Sequence, residues 1–344
     1  MIFKILILSF IFSYKDVHSK NSIDTSELIK SNFVERNISN FFKLFKKVCE
    51  EKLHENLKKH PSYPKFGTIN QWKMVCKKLN TTNLNLSFLF QNFRFKVLSK
   101  KQGILTGYYE PAINVSFKKT KKFNVPILKY NKNYDQLDRK QIESNFKMQD
   151  VLLWTDSKIE LFFLQIQGSG IGSLEKKKKI KINYGGNNKK KYSSIGKLLK
   201  EKKLINGEIN LLTIKKFLYE NPRLADDILY HNQRYIFFSI NKKNTEKSSI
   251  GSIGLRLLPF ASVAIDKKYY PLGIPLILNK VSDSELLPVI SMDTGGAIVG
   301  KNRADLFTGR GVEAEKLAGE LKKKLLIYVL VPKDNDDWKR LGRI

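Results

Sequence analysis

The chain has 344 residues, 42% of them hydrophobic, and a formal net charge of +31. That length holds one large or two ordinary domains with a sizeable core, and the apolar share is that of a soluble globular protein. It has only two cysteines and four histidines. No histidine stands at a metal-ligand spacing, so neither a metal nor a cofactor is expected.

Lys4 precedes a nearly unbroken apolar run from Ile5 to Phe12. The run is too short to span a bilayer comfortably but suits a signal-peptide core, with cleavage after Ser19. A buried N-terminal strand is the competing reading. No other segment is long and apolar enough to cross a membrane. From Ser22 to about Lys101 the pattern is helical: Phe41, Phe42, Leu44, Phe45 and Val48 share one helix face. Pro61 and Pro64 break the chain, and Thr68 caps the next helix. Cys49 and Cys76 fall on these two amphipathic stretches. In an oxidising compartment they would pair; otherwise they are two buried thiols.

From Gly103 the pattern changes to short apolar strands between Gly, Pro and Asn clusters. Strands are expected at 103–109, 125–130, 159–167, 235–240, 263–265, 274–278, 286–292 and 325–331. Pro275 and Pro288 suggest edge strands or late starts. Helices are expected at 193–203 and 312–324, the latter with Glu313 and Glu315 early and Lys322 to Lys324 late. The fold class is mainly β with helical additions.

The densest chemistry lies between Met292 and Gly311. An apolar strand leads into Asp293, Gly295 and Gly296 allow a sharp turn, and Asp305 precedes the short apolar piece Leu306-Phe307. Two carboxylates around a Gly-rich loop suit acid–base work in a cleft, although turn capping is the commoner use of loop Asp. Tyr108 and Tyr109 alternate on a strand, so only one can face a groove. Gln165 and Gln167 would share a strand face, with Gly168, Ser169 and Gly170 allowing close approach. Glu110 is a further candidate carboxylate, but Pro111 after it marks a turn.

Together, the run Gly251–Leu278 and the segment around Asp293 and Asp305 resemble the 3D domain, named for three aspartates, here Asp266, Asp293 and Asp305. Upstream, Gly107-Tyr-Tyr-Glu-Pro111, Phe163–Gly170, Ser194–Leu199 and Asn232–Phe238 stand in the order found in the membrane-bound lytic murein transglycosylase A family. The resemblance spans about Gly103 to Pro332. It implies a double-psi β-barrel domain with a second β-domain inserted and a groove between them. The expected division is a signal peptide at 1–19, a helical region leading into the barrel at 20–109, an insert at 110–231, the barrel at 232–332 and a tail at 333–344.

The resemblance also implies an activity: cleavage of the β-1,4 bond between N-acetylmuramic acid and N-acetylglucosamine in peptidoglycan, giving 1,6-anhydromuramic acid. A non-catalytic wall-glycan binder is the alternative. Asp305 matches the catalytic acid. Asp293 and Asp266 would support it; for Asp266 a structural role in an exposed turn is favoured, and for Asp293 orienting Asp305 and capping the turn stand level. Tyr108, Gln167, Ser169, Gly295 and Gly296 would contact glycan. The partner is then the peptidoglycan strand, not nucleic acid: the lysines are spread along the chain, and steering to an acidic wall polymer accounts for them. The protein is expected to be an exported monomer of the periplasm, peripherally associated with the outer membrane or a wall complex. No cysteine follows the leader to carry a lipid.

Overall fold

A computed structural model describes residues 33–80, 84–175, 178–241, 249–280 and 285–334. The expected signal peptide, most of the expected tail and part of the lysine run at Lys176 lie outside them. Helices α1 (Phe33–Glu51), α2 (Leu53–Lys59), α3 (Ile69–Lys78) and α4 (Leu86–Asn92) come first. The Thr68 side chain accepts from the Gln71 backbone and Gln71 bonds back, the reciprocal box that satisfies two orphan N–H groups. Phe41, Phe45, Trp72 and Phe93 meet in tilted and edge-on contacts beneath these helices. The helical region stops earlier than expected: β1 (Phe93–Val97) is a strand paired to the last strand of the chain.

Cys49 and Cys76 are joined as a disulfide between α1 and α3, their Cα atoms 5.7 Å apart. The bridge closes a loop of 27 residues. In the chain-entropy model its loss costs about 3–4 kcal/mol. The Cys49→Ser/Cys76→Ser variant should show that loss in urea unfolding, and thiol labelling of the unreduced, unfolded parent should find no free thiol.

The barrel is built from β2 (Gly103–Glu110) and five later strands. In chain order the intervening elements are β3 (Ala112–Ser116), β4 (Val125–Leu128), α5 (Arg139–Asn145), β5 (Val151–Thr155), α6 (Lys158–Gln167), β6 (Gly170–Ser173) and β7 (Lys179–Asn187). Then come α7 (Ile195–Glu201), α8 (Leu211–Glu220), α9 (Pro222–His231) and β8 (Ile236–Asn241). The chain ends with β9 (Ser262–Ile265), β10 (Pro275–Lys280), β11 (Glu285–Asp293), β12 (Arg303–Arg310), α10 (Val312–Glu320) and β13 (Lys322–Pro332). One sheet runs β1-β13-β10-β11-β9-β12-β2, and β2 also pairs with β13, which closes a six-stranded barrel. Its interior is filled by residues such as Val263, Leu276, Val289, Ala304 and Ile327. The second sheet runs β4-β5-β3-β6-β7-β8, with its own core around Ile127, Leu153, Ile182 and Phe238.

Several local expectations are corrected. Residues 158–167 form helix α6, not a strand. Ser157 caps its start, Gly168 ends it at φ 82°, and Leu161 to Gln165 are all buried, so the run shows no amphipathic period. The last helix stops at Glu320 because Lys322, Lys323 and Lys324 pair with Thr106, Leu105 and Ile104 of β2. Pro288 lies within β11, an interior strand; β9 pairs with β11 only from Ile290, so that flank is open at the proline. β8 pairs along β7 in the second sheet, so that sheet reaches past the boundary expected at 231.

Candidate active site

Strand β12 lies parallel to β2 with Asp305 opposite Thr106 and Phe307 opposite Tyr108. Ala304 and Leu306 point into the barrel, so alternation turns the Asp305 carboxyl outward, into a groove of about 840 Å³ between barrel and second sheet. Thr106 donates its hydroxyl to Asp305 Oδ1 at 2.5 Å. Burial is the main influence on the carboxyl and pushes its pKa up to about 6; Thr106 and Arg303 favour the charged form, and Asp293 adds a smaller push upward. The upward push is therefore mostly desolvation, with like charge a minor part. An Asp that keeps its proton to about pH 6 is equipped to give it away.

Asp293 ends β11. Its Oδ1 accepts from the backbone N–H groups of Ser252 and Thr294, both at 2.9 Å, and from the Ser252 hydroxyl at 2.7 Å. Its Oδ2 accepts from the Tyr108 hydroxyl at 3.2 Å. The carboxylate thus caps its own turn and fastens three groove walls together. Burial, with Asp293 and Asp305 close by, raises the Tyr108 pKa, so the phenol stays a donor. Tyr108 lines the groove while Tyr109 is buried against Ala314 and Ala318.

Asp266 is outside the groove lining and is buried rather than set in an exposed turn. It accepts from Lys268 N at 3.0 Å and from Gly300 N at 2.8 Å, so it ties the turn after β9 to the loop before β12. Gly295 and Gly296 line the groove, but neither has a positive φ; the left-handed residue of the loop is Gly300, at φ 106°.

Gln167 and Ser169 also line the groove. Gln167 Oε1 accepts from Tyr109 N at 3.1 Å, which docks the end of α6 on β2. Ser169 Oγ lies 2.9 Å from Ser249 Oγ. Gln165 does not share a face with Gln167. It is buried, bonded to Arg139 and to the Ile236 carbonyl. Glu110 is buried too and bound to Lys181, Arg310 and Ser249.

Thr106, Tyr184, Tyr192, Arg234, Ser252 and Arg303 were not singled out in the sequence. All but Thr106 line the groove. Tyr184 is 51% exposed and offers an aromatic face. Ser252 sits in the run Gly251–Leu278, Arg234 in Asn232–Phe238 and Arg303 in the stretch between Met292 and Gly311, so these three lay within segments the sequence did single out.

A groove between two sheets, with a carboxyl whose pKa is raised to about 6 on one wall, suits acid–base chemistry. Residues 104–239 match the MltA specific insert domain and residues 261–331 match the 3D domain. The chain is 30% identical over 272 residues to the membrane-bound lytic murein transglycosylase A homolog of Buchnera aphidicola, covering 74% of this chain and 72% of that protein. It is 32% identical over 247 residues to membrane-bound lytic murein transglycosylase A of Vibrio cholerae, covering 64% of each. The chain belongs to the membrane-bound lytic murein transglycosylase A family.

Two solved structures share the fold. The membrane-bound lytic murein transglycosylase of Agrobacterium tumefaciens superposes with a TM-score of 0.72 at 22% identity, covering 86% of this chain and 93% of that one. E. coli MltA with bound chitohexaose superposes with a TM-score of 0.71 at 21% identity, covering 87% and 90%.

Proposed function

We propose that this protein cleaves the β-1,4 bond between N-acetylmuramic acid and N-acetylglucosamine in peptidoglycan and leaves a 1,6-anhydromuramyl end. The observation that carries the reading is Asp305, a carboxyl with its pKa raised to about 6, facing a groove of about 840 Å³. Relatives named as lytic murein transglycosylases, and a neighbour crystallised with chitohexaose, support the substrate class.

Asp305 protonates the bridging oxygen as the C1–O bond breaks. The carboxylate left behind takes the proton of the muramyl C6 hydroxyl, whose oxygen bonds to C1. The proton is returned and no water is consumed, so one carboxyl serves as acid and then base. Asp293 is committed to four hydrogen bonds and Glu110 to a buried ion cluster, so neither is free to activate water. Most glycosidases that use water rely on such a second carboxylate. Tyr108 and Tyr184 provide aromatic surface, and Gln167, Ser169 and the Gly295-Gly296 edge provide polar and open backbone for the sugars. Mass spectrometry of digested sacculi should find anhydro-muropeptides as the dominant ends. Reducing muramic acid in their place would make water the nucleophile and overturn the mechanism.

We also propose export as a monomer that meets the wall at a membrane surface, in keeping with relatives named membrane-bound; among the described residues no helix is long and apolar enough to cross a bilayer. N-terminal sequencing of wall-associated protein should start about 19 residues in, within the usual leader length. Finding Met1 there would refute this.

A further inference from the structure

We infer that Arg234 reads a carboxylate on the peptide substituents of the glycan, a role that rests on the murein substrate proposed above. Arg234 precedes β8 and so belongs to the second-sheet wall of the groove. Its guanidinium reaches across to the barrel wall. Cζ, Nε and Nη2 lie 3.7, 3.7 and 3.8 Å from where a side chain on Gly296 would begin. Nη1 is occupied, donating to the Lys190 carbonyl at 3.0 Å. The backbone is also held, since Arg139 Nη2 donates to the Arg234 carbonyl at 2.7 Å.

The Nε–Nη2 edge has no protein acceptor among the described residues, and the face of the guanidinium lies against the open loop at Gly296. That edge is the fork that takes a carboxylate through two parallel N–H···O bonds. No described carboxylate pairs with Arg234. The choice of residue is also informative. This chain uses lysine for nearly all of its exposed positive charge, yet Arg139, Arg234 and Arg303 line the groove. Arginine differs from lysine in offering that planar fork. Arg139 is buried on Gln165 and the carbonyls of Asn232 and Arg234, and Arg303 Nη1 is held by the carbonyls of Ile104 and Ala304. Of the three, Arg234 is the one whose guanidinium lies over Gly296. The groove also contains Asp293 and Asp305, which would repel an acidic substituent without a nearby cation to offset them.

The test measures equilibrium binding of soluble glycan strands, in an Asp305→Asn background so that strands are not consumed. Two ligands are compared: strands with their peptide carboxylates, and the same strands with those carboxylates converted to neutral amides. Arg234→Gln should weaken binding of the charged strands roughly tenfold or more, the scale of a charge-assisted hydrogen bond, and leave the amidated strands within about twofold. Arg234→Lys, which keeps the charge without the fork, should fall between. Equal weakening toward both ligands would make Arg234 a structural or sugar-contacting residue and overturn the inference. No weakening toward either would also overturn it. Product formation by the parent protein is read separately, so a failure of the proposed reaction is not confused with a failure of carboxylate reading.

Discussion

Asp305→Asn should lower turnover of sacculi about 10²-fold or more, the share that general acid–base catalysis supplies, and leave the fold at least as stable at pH 7. Asparagine has the same shape and can still accept from Thr106, but it cannot cycle a proton. The stability half follows from the pKa. Burial raises the folded-state value to about 6, against an ordinary aspartate near 3.9 in the unfolded chain. The folded state therefore binds this proton more tightly. Below about pH 4 both states are protonated and no penalty exists; between about pH 4 and pH 6 stability falls as pH rises; above that the full penalty persists. A shift of about two units is on the order of 2–3 kcal/mol as an upper bound, since the groove is open to water. The gap between Asp305→Asn and parent should thus widen from pH 4 to pH 6 and then level off. Catalysis has the matching sign. The acid form starts the reaction, so kcat/KM should drop about tenfold per unit above about pH 6. Parental turnover by Asp305→Asn, or a flat rate profile to pH 8, would remove Asp305 from its role.

Much of the barrel and part of the groove could be read from local patterns. β2, β9, β10 and β11 are short apolar runs bounded by Gly, Pro or Asp, and Thr68 and Ser194 each cap the helix that follows. The step from β11 through Gly295 and Gly296 to Asp305 is also a local signal. What could not be read depends on pairing across long separations. Thr106 touches Asp305 only because β2 and β12 lie side by side, 199 residues apart in the chain. Arg234 reaches Gly296 only because the second sheet folds over the barrel. β3, β5, β6 and β7 escaped notice because they are short or broken by Gly172, and because the alternation of Ile113 and Val115 in β3 and of Ile180 and Ile182 in β7 is set among Asn and Lys residues. Residues 158–167 failed for the opposite reason. A helix buried nearly all round resembles a buried strand until its length and its Gly168 cap decide the matter.

Glu110 ties the two sheets together near the site, and Glu110→Gln should destabilise the protein by about 3–5 kcal/mol. Glu110 ends β2 and is 1% exposed. Its carboxylate accepts from Lys181 Nζ on β7, from Arg310 Nε at 2.5 Å on β12, and from the Ser249 hydroxyl at 2.8 Å. Three separate segments converge on one anion, and Ser249 continues to Ser169 at the groove wall. The ion pairs need not be worth much against an apolar replacement, because desolvating the charges consumes most of their attraction. Breaking them from one side is different. The neutral amide of Glu110→Gln would leave Lys181, which is 4% exposed and whose pKa burial and Arg310 lower to about 7, without its counter-charge, whereas Arg310 can still reach water. The expected result is a lowered urea midpoint with an unchanged slope. Adding Lys181→Met should recover a large part of the loss by removing the orphaned cation. The same variant bears on chemistry. If Glu110 only holds the sheets together, Glu110→Gln that remains folded will still release anhydro ends. A loss below about 1 kcal/mol, the level of a solvent-exposed pair, would show that water already screens the cluster. Glu110 would then have to be reconsidered as a carboxylate free to act in the groove.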